Sequence, residues 1–336
     1  MGRIFYTEDE GRKVMKGSVI GLKHMFRALR HRNFRLYFIG QAASFTGTWM
    51  QRVAMSWLVY RLTKSPLLLG LVEFTGQIPA FILAPLAGVL LDQWNRHRLI
   101  IITQVLAALQ AFMLAILTLT GIVNLWHIFF LTICLGVINA FDMPARQSFI
   151  VQMIEKKEEL GNAIALNSSM VNSARLLGPS LAGILIALLG EGICFLLNAA
   201  SFVPIIFALL IMDIAPGRIA VRKPRILEGL REGFSYVFGF PPMRNIILLL
   251  SLASLMGMSY PVIMPVLAAE IFHGGPRTLG FLMAAAGIGA IGGAFCLAAR
   301  KSVIGLGRMI PLGGGIFGLG LITLAYSQIL WLSLLL

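Results

Sequence analysis

Long apolar stretches separated by short polar breaks run along almost the whole sequence. A helix that crosses a lipid bilayer needs about 20 mostly apolar residues, and stretches close to that length recur here. Charge returns at most of these breaks, as at Asp92, Arg96 and Arg98 after the apolar stretch 67–91. The pattern predicts nine spans, and a tenth begins near residue 328. The nine predicted spans are 35–60, 67–91, 98–120, 125–147, 164–189, 192–213, 245–271, 278–299 and 309–326.

The continuity of these stretches indicates helices. Inside lipid every backbone N–H and C=O needs a partner within the protein, which only helices and closed barrels provide. Barrel strands would show alternation over about 10 residues, whereas these apolar stretches are unbroken. The composition agrees, because 58% of the residues are hydrophobic and 12% are charged, about half the charged share of a soluble domain. The predicted fold class is an all-α polytopic membrane protein.

The uneven distribution of basic residues predicts the orientation. The formal net charge is +14, from 28 Lys and Arg against 14 Asp and Glu. Almost all of the basic residues precede the first span or follow even-numbered spans, and the opposite loops contain only Arg61, Lys64 and Arg277. Basic loops stay on the cytoplasmic side of a membrane. We therefore expect a cytoplasmic N-terminus in the cell (inner) membrane, with the positive charge directed to the lipid bilayer and not to nucleic acid.

The longest break between predicted spans divides the chain into two parts. This break contains four prolines and six basic residues, and proline clusters mark linkers. Six spans precede it, and at least four begin after it. The predicted organisation is a cytoplasmic N-terminal segment at 1–33, a six-helix transmembrane bundle at 34–214, a basic cytoplasmic linker at 215–244 and a partial second transmembrane bundle at 245–336.

The turn between spans two and three resembles a known loop signature. GVLLDQWNRHR is similar to the pattern Gly-x-x-x-Asp-Arg/Lys-x-Gly-Arg of the major facilitator superfamily. Gly88, Asp92 and Arg96 match this pattern, whereas Gln93 and Asn95 depart from it.

A second signature lies in span five. ARLLGPSLAG resembles the antiporter motif of drug-efflux members, with matches at Gly178, Pro179 and Gly183. Ordinary helix packing also explains these small residues. Further stretches resemble the secretion-effector branch of the superfamily, which includes enterobactin-exporter-like proteins: WLVYRLTKSPLLLG, DMPARQSFIVQMI, NAIALNSSMVNSARLLGPSLAG and FLLNAASF.

The resemblance implies a two-bundle, twelve-helix transporter. The last apolar run, ILWLSLLL, contributes eight residues, which make only about 12 Å of helix. Since the superfamily pattern needs more spans, we expect a sequence truncated in the tenth helix.

The resemblance also implies a charge relay that latches an inner gate. Its members would be Gly88, Asp92 and Arg96 with Asp142 and Arg146, from the cytoplasmic end of span four. We expect Asp142 at the depth of the turn between spans two and three. The alternative is that these charges only set the topology.

Ionisable side chains inside predicted spans are costly and are therefore candidates for function. Arg52 and Glu73 lie at similar depth, and we expect their charged ends within about 4 Å of each other or bridged by water. Either the pair is structural, or a substrate or proton competes for Glu73. Arg175 lies near mid-membrane, where it suits an anionic group of a substrate; the alternative is an arginine that snorkels or bonds to carbonyls.

Polar side chains on the spans are candidates for lining a substrate cavity. Four of them recur at steps of three and four residues along span one, which places them on one helix face. These four are Gln41, Ser44, Thr48 and Gln51. Hydrogen bonds between helices explain the same residues equally well. The candidates are Gln41, Ser44, Thr48, Gln51, Gln77, Asn139 and Asn172.

These features favour a secondary active transporter. The sequence contains no nucleophile–base set or metal cluster, so we expect no enzyme, no metal and no cofactor. The interpretation is a monomeric, proton-coupled exporter of a small amphipathic or anionic molecule that works by alternating access. An importer on the same fold is the alternative, and the identity of the substrate is not encoded in a recognisable motif.

Overall fold

The computed structural model describes residues 26–91, 94–154, 157–214, 226–257, 260–298 and 306–336. Every regular element within these ranges is helical. The first six long helices match the first six predicted spans within a few residues, except that the fourth continues well beyond residue 147. They are α1 (Arg32–Thr63), α2 (Pro66–Leu91), α3 (Arg96–Leu119), α4 (Leu125–Met153), α5 (Leu160–Leu189) and α6 (Glu191–Ile211).

Within the described residues, five helical segments are long and apolar enough to cross a bilayer. The first helix has 32 residues but carries buried polar side chains, among them Gln41, Ser44 and Gln51. The architecture is thus the all-α polytopic membrane fold that the sequence predicts. The five segments are Pro66–Ala84, Arg96–Leu119, Leu125–Met153, Leu160–Leu189 and Glu191–Ile211.

Short turns set by local residues connect these helices. Lys64 adopts a left-handed backbone with φ of 51° and ends α1. Asn95 caps α3 by accepting a hydrogen bond from the backbone N–H of Arg98 at 3.1 Å. Asn124 and His127 form a reciprocal capping box at the start of α4, which satisfies two free backbone donors. Consecutive helices are therefore antiparallel, and the bundle has a Lys64 end, with the α1–α2, α3–α4 and α5–α6 turns, and an Arg96 end, with the other two.

Packing in the six-helix bundle does not follow chain order. The first helix packs mainly against α5 and α6, α2 packs against α4, and α3 packs against α4 and α6. One buried apolar cluster, with Leu58 and Phe195, also includes Met264 and Leu279 from the second part of the chain. Another cluster lies toward the Arg96 end. The first cluster shows that the two parts of the chain share a core.

The second part of the chain contains shorter and more exposed helices. Residues 226–239, inside the predicted linker, form a helix, and the predicted span 245–271 consists of two helices on either side of residues 258 and 259. The helices are α7 (Ile226–Gly239), α8 (Pro241–Met256), α9 (Tyr260–Val266), a π-helical turn (Leu267–Ile271), α10 (Pro276–Ala298), α11 (Leu306–Tyr326) and α12 (Leu330–Leu335).

The α5–α10 contact joins the two groups of helices. Gly183 and Gly280 lie so close that a Cβ built on Gly183 would be 2.6 Å from the Cα of Gly280. Small residues allow such backbone approach in membrane helices. A second contact lies at the Lys64 end, where the Tyr60 hydroxyl donates to Glu270 at 2.5 Å.

Candidate functional site

Close packing of α5 on α1 builds the centre of the candidate site. A Cβ on Gly178 would lie 2.6 Å from the Cβ of Trp49 and 2.8 Å from the carbonyl oxygen of Thr46. Arg175 lies one turn before Gly178, and its guanidinium carbon is 5.4 Å from the centre of the Trp49 ring. Arg52, one turn beyond Trp49 on α1, has its guanidinium carbon 4.9 Å from the same ring. The small residue at 178 thus allows two arginines from different helices to share one indole.

These residues open onto a cavity of about 480 Å³. Its wall is built from both groups of helices, and most of the wall is apolar. Cavities of this size hold small molecules, with a few polar groups that fix the orientation of the ligand. The lining residues are Trp49, Arg52, Val53, Ser56, Glu73, Gln77, Arg175, Ser254, Pro261, Val262, Pro265, Leu279 and Met283.

The expected direct pair between Arg52 and Glu73 is not formed in this structure. Both residues line the cavity, but the Glu73 carboxylate accepts a hydrogen bond from Gln77 at 3.3 Å, while Arg52 lies over Trp49. Among the described residues, no carboxylate lies within 4.0 Å of the guanidinium of Arg52 or Arg175. Both side chains line one cavity, but each finds a partner one turn away on its own helix.

The second site is a buried ion pair within α4 that also binds side chains of α3. Asp142 is 3% exposed and pairs with Arg146 at 2.6 Å. Its Oδ1 also accepts hydrogen bonds from Thr103 at 2.7 Å and from Gln104 at 2.9 Å. The Arg146 guanidinium lies 4.7 Å from the centre of the Phe45 ring. Such saturation by donors is what a carboxylate requires inside a membrane protein.

The position of this pair corrects the expected depth of Asp142. Its donor Thr103 lies seven residues after Arg96, about 10 Å along α3 from the turn. The reason is that α4 continues to Met153, so Asp142 is not at its end. Gly88 is exposed, and Asp92 lies outside the described residues. The charge relay that would join Asp92 and Arg96 to Asp142 and Arg146 therefore stays a prediction.

The four polar side chains on one face of α1 point into the six-helix bundle and not into the cavity of about 480 Å³. They are Gln41, Ser44, Thr48 and Gln51. Gln51 donates to Gln110 of α3 at 3.1 Å and accepts from Asn198 of α6 at 2.7 Å. The same face carries Ser44, which is 1% exposed. Hydrogen bonding between helices, the alternative left open above, accounts for this arrangement.

Most of the remaining polar candidates also lie away from the cavity of about 480 Å³. Asn139 and Thr48 line a small cavity of about 40 Å³ inside the bundle, together with Ser44 and Gln51. Gln41 is buried, and its side-chain amide finds no hydrogen-bond partner among the described residues. Asn172 donates to the Ser168 carbonyl of its own helix at 3.0 Å. Of the seven polar candidates, Gln77 reaches the cavity of about 480 Å³.

The sequence argument overlooked several polar partners. Thr103, Gln104 and Gln110 lie within the apolar span three, and their helical spacing was a detectable signal of a polar face. Tyr60 and Glu270 are distant in sequence, so no local pattern connects them.

The chain is similar to a known protein family and to several bacterial transporters. A family model described as transmembrane secretion effector matches residues 24–336. The staphyloferrin A transporter of Staphylococcus aureus is 25% identical over 297 residues, which cover 88% of this chain and 74% of that protein. The multidrug efflux pump Tap of Mycolicibacterium fortuitum is 27% identical over 252 residues, covering 72% of this chain and 61% of the pump. The enterobactin exporter EntS of Shigella boydii is 26% identical over 306 residues, which cover 89% of this chain and 72% of the exporter.

Proposed function

Because this chain belongs to the transmembrane secretion effector family of the major facilitator superfamily, we propose that it exports a small amphipathic or anionic molecule in exchange for protons. Members of the family are transporters and not enzymes. The observation that supports the proposal is the cavity of about 480 Å³, whose wall is shared by the two groups of helices. Alternating access requires a site of this kind, because each group must be able to move around a bound substrate.

The orientation is also part of the proposal. The excess of basic residues at the N-terminus and in the loops after even-numbered spans favours a cytoplasmic N-terminus in the cell membrane. The Lys64 end would then face outward. The contacts of Tyr60 with Glu270 and of Gly183 with Gly280 would close the outer side, and export would require them to separate.

Proton exchange needs a titratable group that the substrate can reach. Glu73 is the carboxylate among the described residues that line the cavity, and we assign the proton to it. The buried pair of Asp142 and Arg146 is assigned to the conformational change instead, since Thr103 and Gln104 also hold its carboxylate. We further propose a monomer in the bilayer, because one chain supplies both walls of the cavity.

Transport into inverted membrane vesicles tests direction and coupling together. The substrates that the names of the relatives suggest, staphyloferrin A and enterobactin, form the first panel, with a macrolide as a third compound because macrolide efflux protein A of Streptococcus pyogenes is also similar. An exporter accumulates a substrate in inverted vesicles, and acidification of the vesicle interior drives this uptake. Accumulation confined to right-side-out vesicles would instead identify an importer, and uptake insensitive to the proton gradient would remove proton coupling.

A further inference from the structure

The two guanidiniums beside Trp49 are available for a ligand. Their carbons lie 4.9 and 5.4 Å from one ring centre, so they are no more than about 10 Å apart, by the cation–π geometry that holds both. Among the residues that the structure describes, neither guanidinium forms an ion pair or donates a hydrogen bond to the chain. A guanidinium carries five N–H donors in a rigid plane, and the ring face satisfies none of them. The donors of Arg52 and Arg175 thus remain free to bind an acceptor.

The depth of Arg175 strengthens this argument. It lies 14 residues before Leu189 and 15 residues after Leu160, about 21 Å of helix from each end. A residue at the middle of a helix that spans a bilayer lies near the centre of the hydrocarbon core, where snorkelling relieves its charge least. A cation at the centre of a membrane helix needs a partner or a water-filled cavity, and here it faces the cavity between the two groups of helices.

The net charge of the cavity wall determines which sign of charge the bound group should carry. The described lining contains two guanidiniums and one carboxylate, Glu73, which is hydrogen-bonded to Gln77. The net charge of these groups is positive. The rest of the wall includes Val262, Leu279 and Met283, which suit an apolar body next to the charged group.

We propose that Arg52 and Arg175 form a two-point binding site for the anionic group of the transported molecule. The substrate class is an organic anion that carries a carboxylate or a similar planar oxyanion on an apolar or aromatic body. Arginine suits this role because its fork of donors matches two oxygens of such a group. The inference rests on the proposed export function for its biological meaning, but the binding site itself can be tested without transport.

The test compares two probes that differ in charge and share one shape. The full chain in lipid nanodiscs is titrated by calorimetry with 2-naphthoate and with its uncharged amide, 2-naphthamide. We expect 2-naphthoate to bind about tenfold tighter than 2-naphthamide, because only the anion interacts with the two guanidiniums. Equal affinities, or no binding of 2-naphthoate at about 1 mM, would overturn the proposal.

Three substitutions then assign the charge preference to this site. Arg52→Gln and Arg175→Gln should each weaken 2-naphthoate about fivefold or more and leave 2-naphthamide nearly unchanged. Glu73→Gln removes a negative charge from the same wall and should strengthen 2-naphthoate. A purely structural role of these residues would shift both probes in the same direction, and that result would contradict the proposal.

Matched controls address folding. Arg98→Gln removes a guanidinium from the exposed start of α3 and should leave both affinities unchanged. Arg175→Lys keeps the charge, so it should retain part of the preference if Arg175→Gln fails to fold. Transport in vesicles without charge-selective binding would refute the anion site and leave export standing. Charge-selective binding without transport of any compound would support the anion site and contradict the proposed export.

Discussion

The Tyr60 hydroxyl donates a hydrogen bond of 2.5 Å to the Glu270 carboxylate, and this bond joins the first helix to the π-helical turn after α9. The ammonium of Lys64 lies 5.1 Å from the centre of the Tyr60 ring, so the ring is held on a second side. π-helical turns are rare and frequently occur at functional positions. The bond lies at the Lys64 end, where the two groups of helices must part if this end faces outward.

Tyr60→Phe should favour the state that is open at the Lys64 end. The substitution removes the hydroxyl and keeps the ring contact with Lys64. A hydrogen bond to a charged group contributes about 1.5–3 kcal/mol, which shifts a two-state population roughly tenfold or more. Distances between spin labels on the α1–α2 turn and on the loop before α10 measure this shift. Thr63→Ala is the matched control, because the bonds of the Thr63 hydroxyl stay local: it donates to the Val59 carbonyl and accepts from the backbone N–H of Ser65 in the following turn. An equal effect of both variants would argue against a latch.

Gly183→Val should push α5 and α10 apart. A Cβ at this position would meet backbone atoms of Gly280 at 2.6 Å, and backbone cannot yield as a flexible side chain does. We expect weaker crosslinking between cysteines introduced on α5 and α10, with little loss of the protein from the membrane. Gly161→Val provides the comparison, because a Cβ there meets nothing within 4 Å. Undiminished crosslinking in Gly183→Val would mean that this contact does not hold the two groups together.

Asp142→Asn should destabilise the six-helix bundle. The substitution leaves Arg146 buried without its charge partner, and breaking a buried pair costs about 3 kcal/mol or more. Thr103→Val removes one donor to the same carboxylate and should cost about 1 kcal/mol. Thermal unfolding followed by circular dichroism in detergent ranks the two variants. If the double variant Asp142→Asn with Arg146→Met unfolds like the wild type but transports poorly, the intact pair serves the conformational cycle and adds no net stability.

The sequence predicted the first six helices because apolar length and short polar turns define them directly. It could not predict which neighbour a helix face meets. The spacing of Ser44 and Gln51 placed them on one face of α1, but α1 packs mainly on α5 and α6 and much less on its chain neighbour α2. The face therefore points into the bundle. Likewise, Arg52 and Glu73 line one cavity, but the local partners Trp49 and Gln77 determine the contacts of each side chain.

The loop signature leads to a prediction for a residue outside the described part of the chain. Asp92→Asn should insert normally and slow the conformational cycle, because the resemblance assigns Asp92 to an inner latch. Arg98→Gln should have much less effect, since Arg98 is exposed and its contact with Asn95 is a hydrogen bond that its backbone N–H, not its guanidinium, donates. Distances between spin labels across the Arg96 end, measured with and without substrate, compare the conformational cycles of the two variants. Unchanged distances and normal transport in Asp92→Asn would leave the residue with a topological role only.

Glu73→Gln should separate substrate binding from proton coupling. The side chain lines the cavity and accepts from Gln77, and the substitution preserves the size of the group while it removes the negative charge and the titratable proton. Binding of an anion should become tighter, because one repulsive charge leaves a wall that retains Arg52 and Arg175. Uptake into inverted vesicles should lose its dependence on the imposed proton gradient, because the carrier of the proton is gone. The Gln77→Ala variant is the control: it removes the hydrogen bond and keeps the carboxylate, so gradient dependence should persist. Gradient-driven uptake in Glu73→Gln equal to that of the wild type would assign the proton to another group.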